Sequence, residues 1–113
     1  MKLLKTVLLV SLSMLSVFLL SAVLINSELA RPKTHTVQIS QMQFKPASIT
    51  VAKGDTVIFV NNDFVTHDVT EISGAAWKSP ALAPGDSWRM AVIQTAAYYC
   101  SYHPTMKGKI IVK

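Results

Sequence analysis

Along residues 35–113 the apolar positions fall in short alternating or β-branched runs, and no stretch keeps the 3.6-residue period of a helix. The pattern predicts strands over 36–40, 48–52, 56–61, 66–72, 87–93, 96–101 and 109–113. Thr56–Asn61 (T-V-I-F-V-N) is the strongest of these. Lys53-Gly54-Asp55, Asn61-Asn62-Asp63, Ser73-Gly74 and Ala83-Pro84-Gly85-Asp86 read as the breaks between them. Residues 42–46 are expected to bend, with Pro46 at an edge or turn. Short strands at this spacing predict an all-β fold, a sandwich or a small barrel. Phe44, Ile49, Val57, Phe59 and Trp88 are the expected core, and Trp77 fits either core or surface.

The first 30 residues differ in kind. Lys2 and Lys5 precede a 19-residue uncharged run from Val7 to Ile25, in which Ser is the only interruption. A basic start followed by an apolar run is the pattern of a secretory signal. The run is long for one: as a helix it would reach about 28 Å, close to the hydrocarbon thickness of a bilayer. Two readings therefore stand for residues 1–30, a cleaved signal peptide or an N-terminal membrane anchor through residues 7–25. Both export the remainder, to the periplasm or another outside compartment. Residues 31–113 then form one β domain.

Composition narrows the function. The chain has 113 residues, a formal net charge of +5 and one Cys. A lone Cys excludes an intramolecular disulfide framework. There is no Gly-rich phosphate loop, and the basic residues do not cluster, so neither a nucleotide enzyme nor nucleic-acid binding is expected. The positive charge serves solubility or an acidic partner. An 83-residue domain without a disulfide has a small core, and a bound metal is the remaining staple.

The segment Y-Y-C-S-Y-H-P-T-M (98–106) supplies one. Cys100, His103 and Met106 stand at i, i+3 and i+6, where a folded loop aims all three at one point. His67, after an upstream loop, is the fourth candidate. A thiolate and two imidazoles suit copper or zinc, while a thioether is a poor zinc ligand but suits copper. Two His and a Cys in a plane with a long axial Met is the donor set of blue-copper electron-transfer sites. His103, beside Pro104, is expected to show a ring edge to solvent, and His67 to be more enclosed. His35 is expected to be exposed and not a ligand.

Two stretches carry a family resemblance over residues 36–113. F-K-P-A-S-I-T-V-A-K-G-D-T-V-I-F-V-N-N-D-F-V-T-H-D-V (44–69) resembles the approach to the first His ligand of the plastocyanin and amicyanin family of cupredoxins. Y-Y-C-S-Y-H-P-T-M-K-G-K-I-I-V (98–112) resembles its ligand loop, with the short spacing of amicyanin. The resemblance implies a Greek-key β-sandwich with one copper ion at one end, held by His67, Cys100, His103 and Met106. It implies a monomeric electron carrier, not an enzyme, working between redox proteins; an amine dehydrogenase and a c-type cytochrome are the partners by analogy. Tyr98 resembles the tyrosine corner of such sandwiches. Two features depart from the pattern. Asp68 stands where the family commonly has an Asn that ties the ligand loops, and a carboxylate there favours Cu(II). The stretch 69–102 is shorter than in plastocyanin, so part of the middle of the sandwich is expected to be trimmed. Readings from other classes are copper storage or delivery, an enzyme with Cys100 as nucleophile, and a metal-free adhesion domain.

Overall fold

In a computed structural model the described residues are 1–25 and 30–113. The chain divides into two units, Met1–Arg31 and Pro32–Lys113. The first is a helix, α1 (Lys2–Ile25). Its run of Leu and Val lacks Gly and Pro, and hydroxyls fold back onto its own carbonyls. Thr6 Oγ1 donates to Lys2 at 2.9 Å, Ser11 Oγ to Leu8 and Ser13 Oγ to Val10, both at 2.8 Å. Among the described residues no helix is long and apolar enough to cross a membrane. The expected leader over residues 1–30 includes 26–29, which lie outside the described residues.

The second unit is built of eight strands: β1 (Thr34–Ser40), β2 (Gln43–Lys45), β3 (Ser48–Val51), β4 (Thr56–Asn61), β5 (Thr70–Glu71), β6 (Ser87–Ala91), β7 (Ala96–Tyr99) and β8 (Lys107–Val112). They form two four-stranded sheets, ordered β2-β1-β4-β6 and β3-β8-β7-β5. Both sheets are mixed, since β1 runs parallel to β4 and β3 parallel to β8. The expected sandwich is therefore present, and alternation fills it. Val57, Phe59 and Asn61 of β4 point inward, as do Val37 and Ile39 of β1, Tyr98 of β7 and Ile110 of β8. Phe44, Phe59 and Tyr98 meet edge to face, with centroids 4.9–6.4 Å apart.

Two departures from the sequence pattern have local causes. Residues 42–46 do not simply bend. Ser40 pairs with Gln43 across a two-residue turn in which Gln41 and Met42 take φ of 54° and 58°. Such turns usually use Asn or Gly, so Gln-Met gives no signal in the sequence. The run 66–72 becomes a strand only at Thr70–Glu71. Its earlier residues spend their backbone groups elsewhere: His67 pairs with Leu82, and Val69 with Ser79. Between β5 and β6 the described chain forms only isolated bridges. Trp77 and Trp88 are both half-buried, with ring centroids 6.1 Å apart.

Candidate metal centre

The loop after β4 delivers His67. Its anchor is Asn61, fully buried at the inward end of that strand. Asn61 Nδ2 donates to the carbonyls of Val65 and Leu82, both at 2.8 Å, and its Oδ1 accepts Asp63 N–H at 2.9 Å. The backbone of His67 exchanges two hydrogen bonds with Leu82, at 3.1 and 2.8 Å. The imidazole is then gripped from one side: Nε2 lies 3.0 Å from Asp63 Oδ2, which also accepts Met42 N–H at 2.9 Å. The Met42 bond, followed by the His67 bond, holds the Asp63 carboxyl below the usual carboxylate range. A proton on Nε2 donates to Asp63 and leaves Nδ1 as an acceptor for a cation.

Cys100 follows β7, and the chain turns back into β8 through residues 101–106. This loop closes on itself. Cys100 N–H donates to Met106 C=O at 3.1 Å, His103 N–H to Cys100 C=O at 3.2 Å, and Met106 N–H to His103 C=O at 2.9 Å. The Cys100 side chain is buried, and its Sγ accepts Asp68 N–H at 3.4 Å. That bond joins the two donor segments.

Three donor atoms converge there. Cys100 Sγ lies 3.7 Å from His67 Nδ1 and 3.8 Å from His103 Nδ1, and the two nitrogens are 3.2 Å apart. With zinc-like bonds of about 2.0–2.1 Å to nitrogen and about 2.3 Å to sulfur, a trigonal cation would set the nitrogens about 3.5 Å apart and each about 3.8 Å from sulfur. The donor set thus fits a single ion in size as well as in chemistry. Met106 is buried in the same cluster as Cys100. His67 is wholly enclosed while His103 is partly exposed, the asymmetry expected of the two rings. Around them Phe64 is 95% exposed, with Val65, Tyr102 and Pro104 also open.

His35 is not simply exposed: it is half-buried, with Nε2 2.8 Å from Asp55 Oδ2. Tyr98 faces inward, 1% exposed, but its hydroxyl has no hydrogen-bond partner among the described residues. The tie that defines a tyrosine corner is therefore missing, and burial pushes the phenol above its ordinary pKa. Asn61 and Asp63 were not singled out by the sequence. The only signal was an acid four positions before His67, a spacing common by chance.

A profile of the cupredoxin-like domain matches residues 11–112. Amicyanin from Paracoccus denitrificans is 30% identical over 83 residues, which cover 68% of this chain and 63% of that protein. This chain therefore spans a little under two thirds of that relative's length. A reduced amicyanin variant superposes with a TM-score of 0.67 at 29% identity, over 71% of this chain and 82% of that one. A copper-containing nitrite reductase from Thermus scotoductus matches with a TM-score of 0.66 at 29% identity, over 78% of this chain but 24% of the enzyme.

Proposed function

The chain belongs to the cupredoxin-like family, and from that premise we propose that it is an exported type 1 copper protein that carries single electrons between redox partners. The observation that carries this reading is the convergence of one thiol and two imidazole nitrogens within 3.8 Å of one another. His67 Nδ1, Cys100 Sγ and His103 Nδ1 would hold the ion, with Met106, buried in the same cluster as Cys100, as a fourth donor. When bound, copper supplies a one-electron Cu(II)/Cu(I) couple.

The protein's part is to hold its donors still. Asp63 fixes the His67 ring, and the closed 100–106 loop fixes Cys100 and His103. Donors already in place need little rearrangement between oxidation states, which favours fast electron transfer. Burial of His67, Cys100 and Met106 keeps water from the inner side. His103, partly exposed, is the route to the surface. Exposed Phe64, Val65, Tyr102 and Pro104 form the apolar ground on which a partner docks. An amine dehydrogenase as donor and a c-type cytochrome as acceptor remain the partners by analogy, with the carrier working as a monomer.

Storage or delivery is the weaker reading, because a buried sulfur between two fixed rings exchanges its ion poorly. The nitrite reductase likeness covers about a quarter of that enzyme. This chain is proposed as a carrier and not as a catalyst. Voltammetry of the copper-loaded protein tests the reading. A reversible one-electron wave, with electron exchange with a redox protein that slows when Phe64 is made Glu, is expected. An irreversible wave would overturn it.

A further inference from the structure

Asp68 lies beside His67 and is 2% exposed. Its Oδ1 accepts Ser101 N–H at 2.7 Å and Thr70 Oγ1–H at 3.2 Å, and its Oδ2 accepts Ser101 Oγ–H. Ser101 lies beside Cys100. One carboxylate therefore joins the two segments that carry the donors, 33 positions apart in sequence. Every group turned toward it is a donor, and the remaining one is a cation: Lys78 Nζ is 3.9 Å from Oδ2, on a side chain that is 56% exposed. Among the described residues Lys78 is the one charged group paired with it.

We propose that Asp68 is a positioning residue with two separable effects: its hydrogen bonds clamp the two donor segments together, and its negative charge, partly offset by Lys78, biases the site toward the more highly charged copper ion. The proposal rests on copper binding at His67, Cys100 and His103. The physical reason is direct. A buried negative charge one residue from a donor is poorly screened, so it stabilises a divalent ion more than a monovalent one. Lys78 is exposed and well screened, so it offsets only part of that field.

Substitutions separate the effects. In Asp68→Asn the amide oxygen still accepts from Ser101 N–H and Thr70, while its NH₂ donates to Ser101 Oγ, which accepts instead of donating. The clamp survives and the charge is gone. Asp68→Ala removes both. The experiment measures Cu(II) and Cu(I) affinities separately on the full chain by competition with chelators, together with the urea midpoint of the metal-free protein. Asp68→Asn should lower the Cu(II)-to-Cu(I) affinity ratio at least tenfold, a rise of about 59 mV in a one-electron potential, with the metal-free midpoint near that of the parent. Asp68→Ala should lower the midpoint as well as the ratio. Lys78→Met at low ionic strength should shift the ratio the other way, by a smaller factor that shrinks with added salt. An unchanged ratio in Asp68→Asn would overturn the proposal while leaving copper binding intact. Should that variant fail to fold, an unchanged ratio in Lys78→Met at low salt would overturn it instead. A parent protein that binds neither ion tightly would remove the copper reading itself.

Discussion

Asp63 grips the imidazole of His67 from the side opposite Cys100, with Oδ2 3.0 Å from Nε2. The same oxygen accepts Met42 N–H, so the β1–β2 turn, the β4 loop and a donor ring are held by one carboxylate. The ring is thus aimed before any ion arrives. Partners of this kind, behind a ligating His, are worth about 10–100-fold in metal affinity.

Asp63→Ala should therefore weaken copper binding by about 10–100-fold. Asp63→Asn should recover part of the loss, because an amide oxygen still accepts from the ring. Chelator competition on both variants checks this.

Asn61 serves the same loop from inside. Its amide satisfies two carbonyls and one N–H, and it is fully buried. Asn61→Ala takes the Asn61 partner from Val65 C=O and Asp63 N–H, leaves Leu82 C=O with His67 N–H alone, and should cost about 1–3 kcal/mol. Urea unfolding of the metal-free protein measures it.

Tyr98 and Gly108 face each other across β7 and β8. A Cβ at Gly108 would sit inside van der Waals contact with the Tyr98 ring. Gly108→Ala should thus displace the ring and cost about 1–3 kcal/mol by overpacking. Tyr98→Phe should do no harm and raise stability by about 1 kcal/mol, since the lost hydroxyl is buried without a partner. Thermal and urea midpoints of the two variants should move in opposite directions.

The sandwich and the candidate donors Cys100, His103 and Met106 are legible in the sequence because each depends on residues close together in the chain. Alternation along Thr56–Asn61 reports which side chains face inward, and Cys100, His103 and Met106 are neighbours in the chain as well as in space. What it hid depends on contacts between distant segments. The Gln41-Met42 turn uses residues that rarely take positive φ, so the sequence pattern gives a bend where the fold has β2. The run after His67 has strand composition, yet its backbone bonds go to Leu82 and Ser79 in a loop with no periodic pattern. The two-residue spacing of Tyr98 and Cys100 puts both on one face of a strand, but only the fold shows that nothing among the described residues meets the Tyr98 hydroxyl. Asp63 and Asn61 look like ordinary turn residues until the loop closes around them.

Acid should test a second carboxylate, remote in sequence from the donors. Asp55 accepts Lys33 N–H at 2.9 Å, lies 2.8 Å from His35 Nε2, and accepts Ala52 N–H at 3.1 Å. These bonds, led by that from Lys33, lower its pKa to about 2. A depressed folded-state value means that its stabilisation is full above the ordinary value of about 4. It is lost as pH falls from about 4 to about 2. Asp55→Asn should therefore be less stable than the parent at pH 7, and the gap should narrow through that window. Urea midpoints of both proteins from pH 7 to pH 2 check the trend; a gap that widened in acid would contradict it.

The claim on which the rest depends is that Cys100 Sγ, as a thiolate, binds copper together with the two imidazoles. Visible absorption of the purified protein titrated with Cu(II), beside Cys100→Ser treated identically, tests it most directly. The parent should develop an intense sulfur-to-copper charge-transfer band that saturates at one ion per chain, and Cys100→Ser should stay nearly colourless. A parent that binds Cu(II) without the band, or a Cys100→Ser variant that keeps it, would contradict the account.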